Sequence, residues 1–173
     1  MQKKNKLSRI ALVSWMLFSL SIVVLIVSVC YVNSENEMKF PLDITQEVAL
    51  ENAKSNVDKV NTNERYCELW EENINYYYNE IINHFEENNE HELLQKTVEI
   101  QSKWEEDCAQ QVDYHNSLLL SVYESGTIVP VKLSAFECEQ YRQRAIVLYE
   151  QCLELNINVD PPVQSRDVSV TNP

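Results

Sequence analysis

Only one of the 173 residues is glycine, Gly126, although an average usage of roughly 7% would give about twelve. Nucleotide-binding loops need several glycines so that the main chain can approach phosphate groups. Multi-hairpin β-sheets use glycine in their turns. The composition therefore disfavours both architectures and predicts an all-α protein.

A long uncharged segment, residues 10–32, follows a short basic segment, residues 1–9, that carries four Lys and Arg and no acidic residue. As a helix the uncharged segment would extend for about 35 Å, enough to cross a hydrocarbon core about 30 Å thick. Basic residues that flank a membrane span favour a cytoplasmic location for that end of the chain. We therefore predict a single-pass transmembrane signal anchor at residues 10–32, with residues 1–9 in the cytoplasm and the C-terminal domain outside.

Two alternatives to an uncleaved anchor stay open. A cleaved signal peptide has a shorter apolar core and a cleavage site made of small residues. Residues 33–35 do not resemble such a cleavage site. A bacterial lipoprotein would carry its lipid on Cys30, and residues 27–29 match a lipobox at two positions.

The chain after the apolar segment is strongly acidic. Residues 33–173 hold all 27 Asp and Glu but only 10 of the 14 Lys and Arg, which gives a formal net charge of -17. Such a surface repels nucleic acid and anionic lipid and attracts basic proteins. The charge predicts a basic protein partner and no nucleic-acid partner, with simple solubility as the alternative role.

Four cysteines follow the anchor: Cys67, Cys108, Cys138 and Cys152. None is spaced as a Cys-x-x-Cys redox or metal motif, so an even number in an oxidising compartment predicts two structural disulfides with three possible connectivities.

The segment from His91 resembles the helical zinc motif HExxH, but Gln95 stands where the second His is needed. The sequence therefore predicts no metal, no cofactor and no catalytic residue.

Mostly apolar residues recur every three or four positions in three segments, which is the period of one helical face. The three faces are Cys67, Trp70, Ile74, Tyr77, Ile81 and Phe85; then Leu94, Val98, Gln101, Trp104 and Cys108; then Cys138, Tyr141, Ala145, Leu148, Cys152 and Leu155. We predict a small disulfide-stapled bundle of three main helices within residues 64–155. Residues 33–63 are predicted as a linker with a short helix over residues 43–60, and residues 156–173 as a disordered tail.

The connection before the third helix contains Pro130, and residues 127–133 are predicted as an extended connector. Ser134 and Glu137 have the spacing of a capping box that would open the helix. Cys138 and Cys152 would lie about 21 Å apart along that helix, too far for a disulfide. Cys67 and Cys108 would fall at the same end of an antiparallel helix pair; we nevertheless favour the pairs Cys108–Cys138 and Cys67–Cys152.

Short motifs recur in the order of a known family. They are Cys67 with Tyr76, Tyr77 and Tyr78; Gln101 and Trp104 followed by Cys108; Ser125, Gly126 and Thr127 with Pro130; and Cys138 with Arg142 and Arg144. Over residues 66–152 the chain resembles the lysozyme-inhibitor LprI-like family of bacterial envelope proteins. The resemblance implies a non-catalytic inhibitor of lysozyme, held in the bacterial inner membrane with its domain in the periplasm or outside.

Many lysozymes are basic and cleave sugar in a cleft between two carboxylates, so an acidic domain with a protruding loop is suited to block that cleft. The candidate loop is Glu124, Ser125, Gly126 and Thr127, with an ordinary helix connector as the alternative. The alternative function is a single-pass envelope scaffold that binds proteins through helix–helix contacts.

Overall fold

Four α-helices and no β-strand make up the residues that the structure, a computed structural model, describes, namely 39–124 and 126–163. They are α1 (Pro41–Asn52), α2 (Asn56–Glu87), α3 (His91–Tyr123) and α4 (Ile128–Glu154). The all-α prediction is confirmed for this part of the chain. Within the same ranges no helix combines the length and the apolar character that a membrane crossing requires.

Several predictions concern residues outside those ranges. The basic segment 1–9, the anchor at 10–32, Cys30, Ser125 and residues 164–173 all lie outside the described residues. The anchor and its topology therefore stay predictions.

The core forms mainly between α2 and α4, which make the most extensive contact of any two helices. The predicted faces of both helices are buried, with Trp70, Tyr77 and Leu148 fully enclosed. α3 lies more on the outside, and its buried residues are Gln101, Cys108 and Leu119. The three predicted main helices, α2, α3 and α4, are therefore present, and the contact between α2 and α4 dominates.

α2 and α4 run parallel and in a defined register. Near their first turns, Asn56 Nδ2 donates to Thr127 Oγ1 at 3.2 Å. Two turns later, Asn63 Nδ2 donates to Ser134 Oγ at 3.0 Å. Both pairs are 71 residues apart in the sequence. Towards the other end, the Cys152 thiol lies 3.6 Å from the carbonyl of Tyr77, so the two helices stay side by side along their length.

The start of α4 differs from the prediction. Residues 128–133 are helical, and Pro130 lies in the first turn, where a helix needs no amide donor and tolerates proline. Ser134 does not cap a helix; it is buried, and its hydroxyl donates to the carbonyl of Val131. The capping box and the extended connector are therefore wrong.

The short helix predicted over residues 43–60 is divided into two. α1 ends at Asn52, and α2 begins at Asn56 behind a capping box. In that box Ser55 Oγ accepts from the amide of Asp58 at 3.1 Å, and Asp58 Oδ2 accepts from the amide of Ser55 at 3.0 Å. The reciprocal bonds satisfy amides that a helix start leaves open, which explains why the chain re-enters a helix here.

Residues 156–163, which we term the C-terminal strap, pack against α2 instead of forming part of a disordered tail. Tyr77 Oη donates to the carbonyl of Asp160 at 2.8 Å. The side chain of Asn73 donates to the carbonyl of Val163 at 3.2 Å and accepts from its amide at 3.4 Å. Pro162 is fully buried. These contacts order a segment that has no periodic face of its own.

Each of the helices α2, α3 and α4 is followed by a residue with left-handed backbone geometry. The three residues are not glycines but Asn89 (φ 57°), Glu124 (φ 47°) and Asn156 (φ 59°). We expect Glu124→Gly to raise the free energy of unfolding by about 1 kcal/mol, because the left-handed region strains a residue that has a Cβ. Chemical unfolding followed by circular dichroism measures the change. Glu99→Gly, inside α3, is the control and should lower stability by about 1 kcal/mol; a loss in both variants would contradict the prediction.

Candidate functional site

The predicted partner-binding loop is exposed but short. Glu124 and Gly126 are exposed, and their amides bond to carbonyls at the end of α3. Thr127 is tied to Asn56 at the start of α2. Ser125 lies outside the described residues. The described part of this loop is therefore a tight helix connection held to the bundle.

A more concave surface lies around Tyr141 and Glu137 of α4. One groove, of about 210 Å³, lies between α2 and α4, and a second, of about 260 Å³, lies between α3 and α4. Tyr141 and Glu137 line both of them. We term the two together the Tyr141 grooves.

The Tyr141 grooves are lined by acidic side chains. The carboxylates are Glu64, Glu68, Glu71, Glu105, Asp113 and Glu137. Among the described residues that line the grooves there is no Lys, Arg or His. Because like charges converge here without a counter-charge in the lining, the surface favours a cationic group from outside.

The aromatic wall of the second groove is Trp104 against Tyr141, with ring centroids 5.6 Å apart in an edge-to-face arrangement. The guanidinium of Arg144 lies 5.6 Å from the centroid of the Trp104 ring. Its Nε and Nη2 donate to Gln101 Oε1 at 3.0 and 2.8 Å. Burial lowers the pKa of Arg144 from its ordinary value. The wall is therefore held by contacts inside the domain.

The motif residues behind the family resemblance are thus largely internal. Gln101 and Trp104 contact Arg144 and join α3 to α4. Arg142 joins α4 to α1, because its Nε donates to Asp43 Oδ1 at 2.6 Å and its Nη2 donates to Asp43 Oδ2 at 3.2 Å. These side chains position the Tyr141 grooves and are themselves at most half-exposed.

The cysteines are not paired as predicted. No disulfide joins Cys67, Cys108, Cys138 and Cys152 to one another in the structure. Cys152 lies at Tyr77, ten residues and about 15 Å along α2 from Cys67, so the Cys67–Cys152 pair is excluded by distance. The favoured Cys108–Cys138 pair is not formed either.

The other three cysteines lie around the Tyr141 grooves. Cys67 lines the first groove and Cys108 the second. Cys138 is buried one turn before Tyr141, and its sulfur accepts from Gln46 Nε2 at 3.2 Å. The structure therefore brings together three of the four predicted cysteines and places the fourth at the other end of α4.

These thiols are poor nucleophiles. Burial, and then the neighbouring Cys138 and Glu137, raise the pKa of Cys67 to about 12. Burial raises the pKa of Cys138 to about 11 and, with Cys67 as the next contributor, that of Tyr141 to about 12. Since only the thiolate attacks, the arrangement does not activate a cysteine at neutral pH.

The described side chains offer no ready metal site. No group of three or more His, Cys, Asp or Glu among them has a geometry that could hold a metal ion. The carboxylates of the Tyr141 grooves therefore line a surface without forming a coordination cage.

No protein-family model, curated protein or solved structure matches the chain. The resemblance to the LprI-like family stays a prediction based on the short motifs quoted above.

Proposed function

We propose that this chain is a non-catalytic binding protein of the bacterial envelope that captures a basic protein, with a lysozyme as the target class. It is anchored in the inner membrane through residues 10–32, and its acidic domain faces the periplasm or the outside. The observation that carries the proposal is the lining of the Tyr141 grooves. The described residues that form this lining include six carboxylates and no basic side chain.

The grooves are suited to Lys or Arg side chains of a partner. Glu64, Glu68 and Glu71 follow one another along the exposed side of α2 and face the groove shared with Glu137. A basic side chain placed there would contact several carboxylates together, and the net charge of -17 would increase the rate of encounter. The loop at residues 124–127 is the second surface of the proposal.

The test is inhibition of a basic lysozyme by the full chain in detergent micelles. Stoichiometric protein should slow lysis of a bacterial cell-wall suspension, and the inhibition should weaken as salt is added because charges are screened. Full lysozyme activity at a stoichiometric dose would overturn the proposed target.

Charge reversal locates the binding surface. Glu68→Lys with Glu71→Lys should weaken binding by at least about tenfold, because it puts like charges against the basic partner. The matched control is Glu86→Lys with Glu87→Lys, which changes the net charge equally at the exposed end of α2. Equal losses in the two variants would show that net charge alone, and not the grooves, carries binding.

A second candidate function, an envelope scaffold that self-associates, is favoured by one face of α3. Tyr114, Leu118 and Val122 are spaced four residues apart and are 67%, 43% and 68% exposed. A second copy anchored in the same membrane would present the same face. Leu118→Glu should then convert a dimer to a monomer in analytical ultracentrifugation, and a monomeric wild-type chain would exclude this candidate.

A further inference from the structure

We propose that Cys67 and Cys138 form a disulfide that joins α2 to α4 under oxidising conditions. The pairing follows from the helix register. Asn56 with Thr127 and Asn63 with Ser134 are hydrogen-bonded pairs 71 residues apart. Cys67 and Cys138 stand four residues after the second pair, at the same offset of 71.

The spacing of the two helices places both cysteines in one layer of the interface. In α2 the positions are 63, 67, 70, 74, 77 and 81, and in α4 they are 134, 138, 141, 145, 148 and 152. This alternation of four and three residues is that of parallel packed helices, in which residues of one layer face each other. The layer that follows Asn63 and Ser134 is made of two thiols.

Neighbouring contacts agree with this layer. Gln46 of α1 accepts from the indole nitrogen of Trp70 at 3.2 Å and donates to the sulfur of Cys138 at 3.2 Å. Cys138 therefore lies against the turn of α2 that runs from Cys67 to Trp70. Among the neighbouring groups, Cys138 has the largest effect on the pKa of Cys67, ahead of Cys108.

Cys67 is the entry point for the oxidant. It is half-buried and lines a groove, whereas Cys138 is 2% exposed. The oxidant is a disulfide, either a small molecule or a protein. Cys67 loses its proton to water and attacks one oxidant sulfur, and the released thiolate takes up a proton. Cys138 then loses its proton and attacks the Cys67 sulfur, which expels the second thiol, so that two protein thiols and one disulfide yield one protein disulfide and two thiols.

The disulfide would close a loop that contains the whole of α3. Cross-links that close long loops restrict the unfolded chain strongly, so we expect the midpoint of thermal unfolding to rise by about 10–20 °C. The inference is independent of the proposed binding function, because the oxidation is performed on the purified chain.

The experiment oxidises the reduced full chain with oxidised glutathione at pH 8.5, alkylates the remaining thiols and maps unreduced peptides by mass spectrometry. We expect a link between the peptides of Cys67 and Cys138 in monomeric protein, together with the rise in thermal midpoint. A dominant link from Cys108 to either cysteine, links only between chains, or alkylation of both Cys67 and Cys138 would overturn the inference.

Two variants make the result specific. Cys67→Ser should remove both the cross-link and the rise in thermal midpoint. Because the Cys67 side chain is only half-buried, we expect this variant to fold. Cys152→Ser is the matched control, since Cys152 lies 14 residues further along α4 than Cys138, and it should leave both results unchanged. Loss of the Cys67–Cys138 link in the Cys152→Ser variant would also contradict the inference.

Discussion

Replacement of Asp43 by Ala should lower the free energy of unfolding by about 3–5 kcal/mol, the usual cost of removing one partner from a buried ion pair. Asp43 and Arg142 bond through two pairs of atoms, at 2.6 and 3.2 Å, and their side chains are 8% and 10% exposed. Without the carboxylate, the guanidinium remains buried beside Glu139. The amide of Phe40, which donates to Asp43 at 2.9 Å, also loses its acceptor.

Urea unfolding of the full chain in detergent, followed by circular dichroism, measures this loss. The control is Glu92→Ala, which breaks the exposed bond to Lys96 on the surface of α3 and should change stability by less than about 0.5 kcal/mol. A loss of under about 1 kcal/mol for Asp43→Ala would mean that water reaches Arg142 and replaces the carboxylate.

Replacement of Trp70 by Ala should also lower the free energy of unfolding by about 3–5 kcal/mol, because it opens a large cavity in a packed core. The side chain is 0% exposed and belongs to the cluster shared by α2 and α4. Its indole nitrogen donates to Gln46 Oε1, so the variant also removes a hydrogen bond between α1 and α2.

Trp70→Phe separates the two contributions in the same unfolding experiment. It keeps most of the apolar volume and loses the hydrogen bond, so we expect a smaller loss, nearer to about 1–2 kcal/mol. If Ala and Phe destabilise the chain equally, the bond to Gln46 and not the packing carries the effect of Trp70.

Periodic spacing alone predicted the inner faces of α2 and α4. The residues at three- and four-residue intervals from Trp70 to Phe85, and from Cys138 to Cys152, are mostly the residues that the structure buries. For α3 the spacing correctly placed Gln101 on the buried face, but Val98, on the same predicted face, is 44% exposed. Gln101 is enclosed because Arg144 bonds to it, and a partner on another helix leaves no trace in the local sequence.

The pairing of helices explains the wrong cysteine pairs. The favoured pair Cys108–Cys138 would join the two helices on either side of the Gly126 loop, which left Cys67 to pair with Cys152. The structure instead has its main interface between α2 and α4, which are parallel and separated by the whole of α3. Cys-Glu-x-aromatic occurs at residues 67–70 and again at residues 138–141, and this internal match was the available signal for the register.

The Tyr141 grooves were not predicted as a site. Their carboxylates come from three helices, and each acidic pair, taken in its own helix, resembles an ordinary solvated face. The strap was missed for a similar reason: Tyr77 and Asn73 hold it through its main-chain atoms, and main-chain recognition requires no pattern in the side chains of residues 156–163.

The strap also decides where added sequence would emerge from this protein. Val163 is hydrogen-bonded to Asn73, close to the middle of α2. A fluorescent reporter joined there in place of residues 164–173 would start on the flank of the bundle and not at its tip. Distances measured from such a label would therefore refer to a point near the middle of α2.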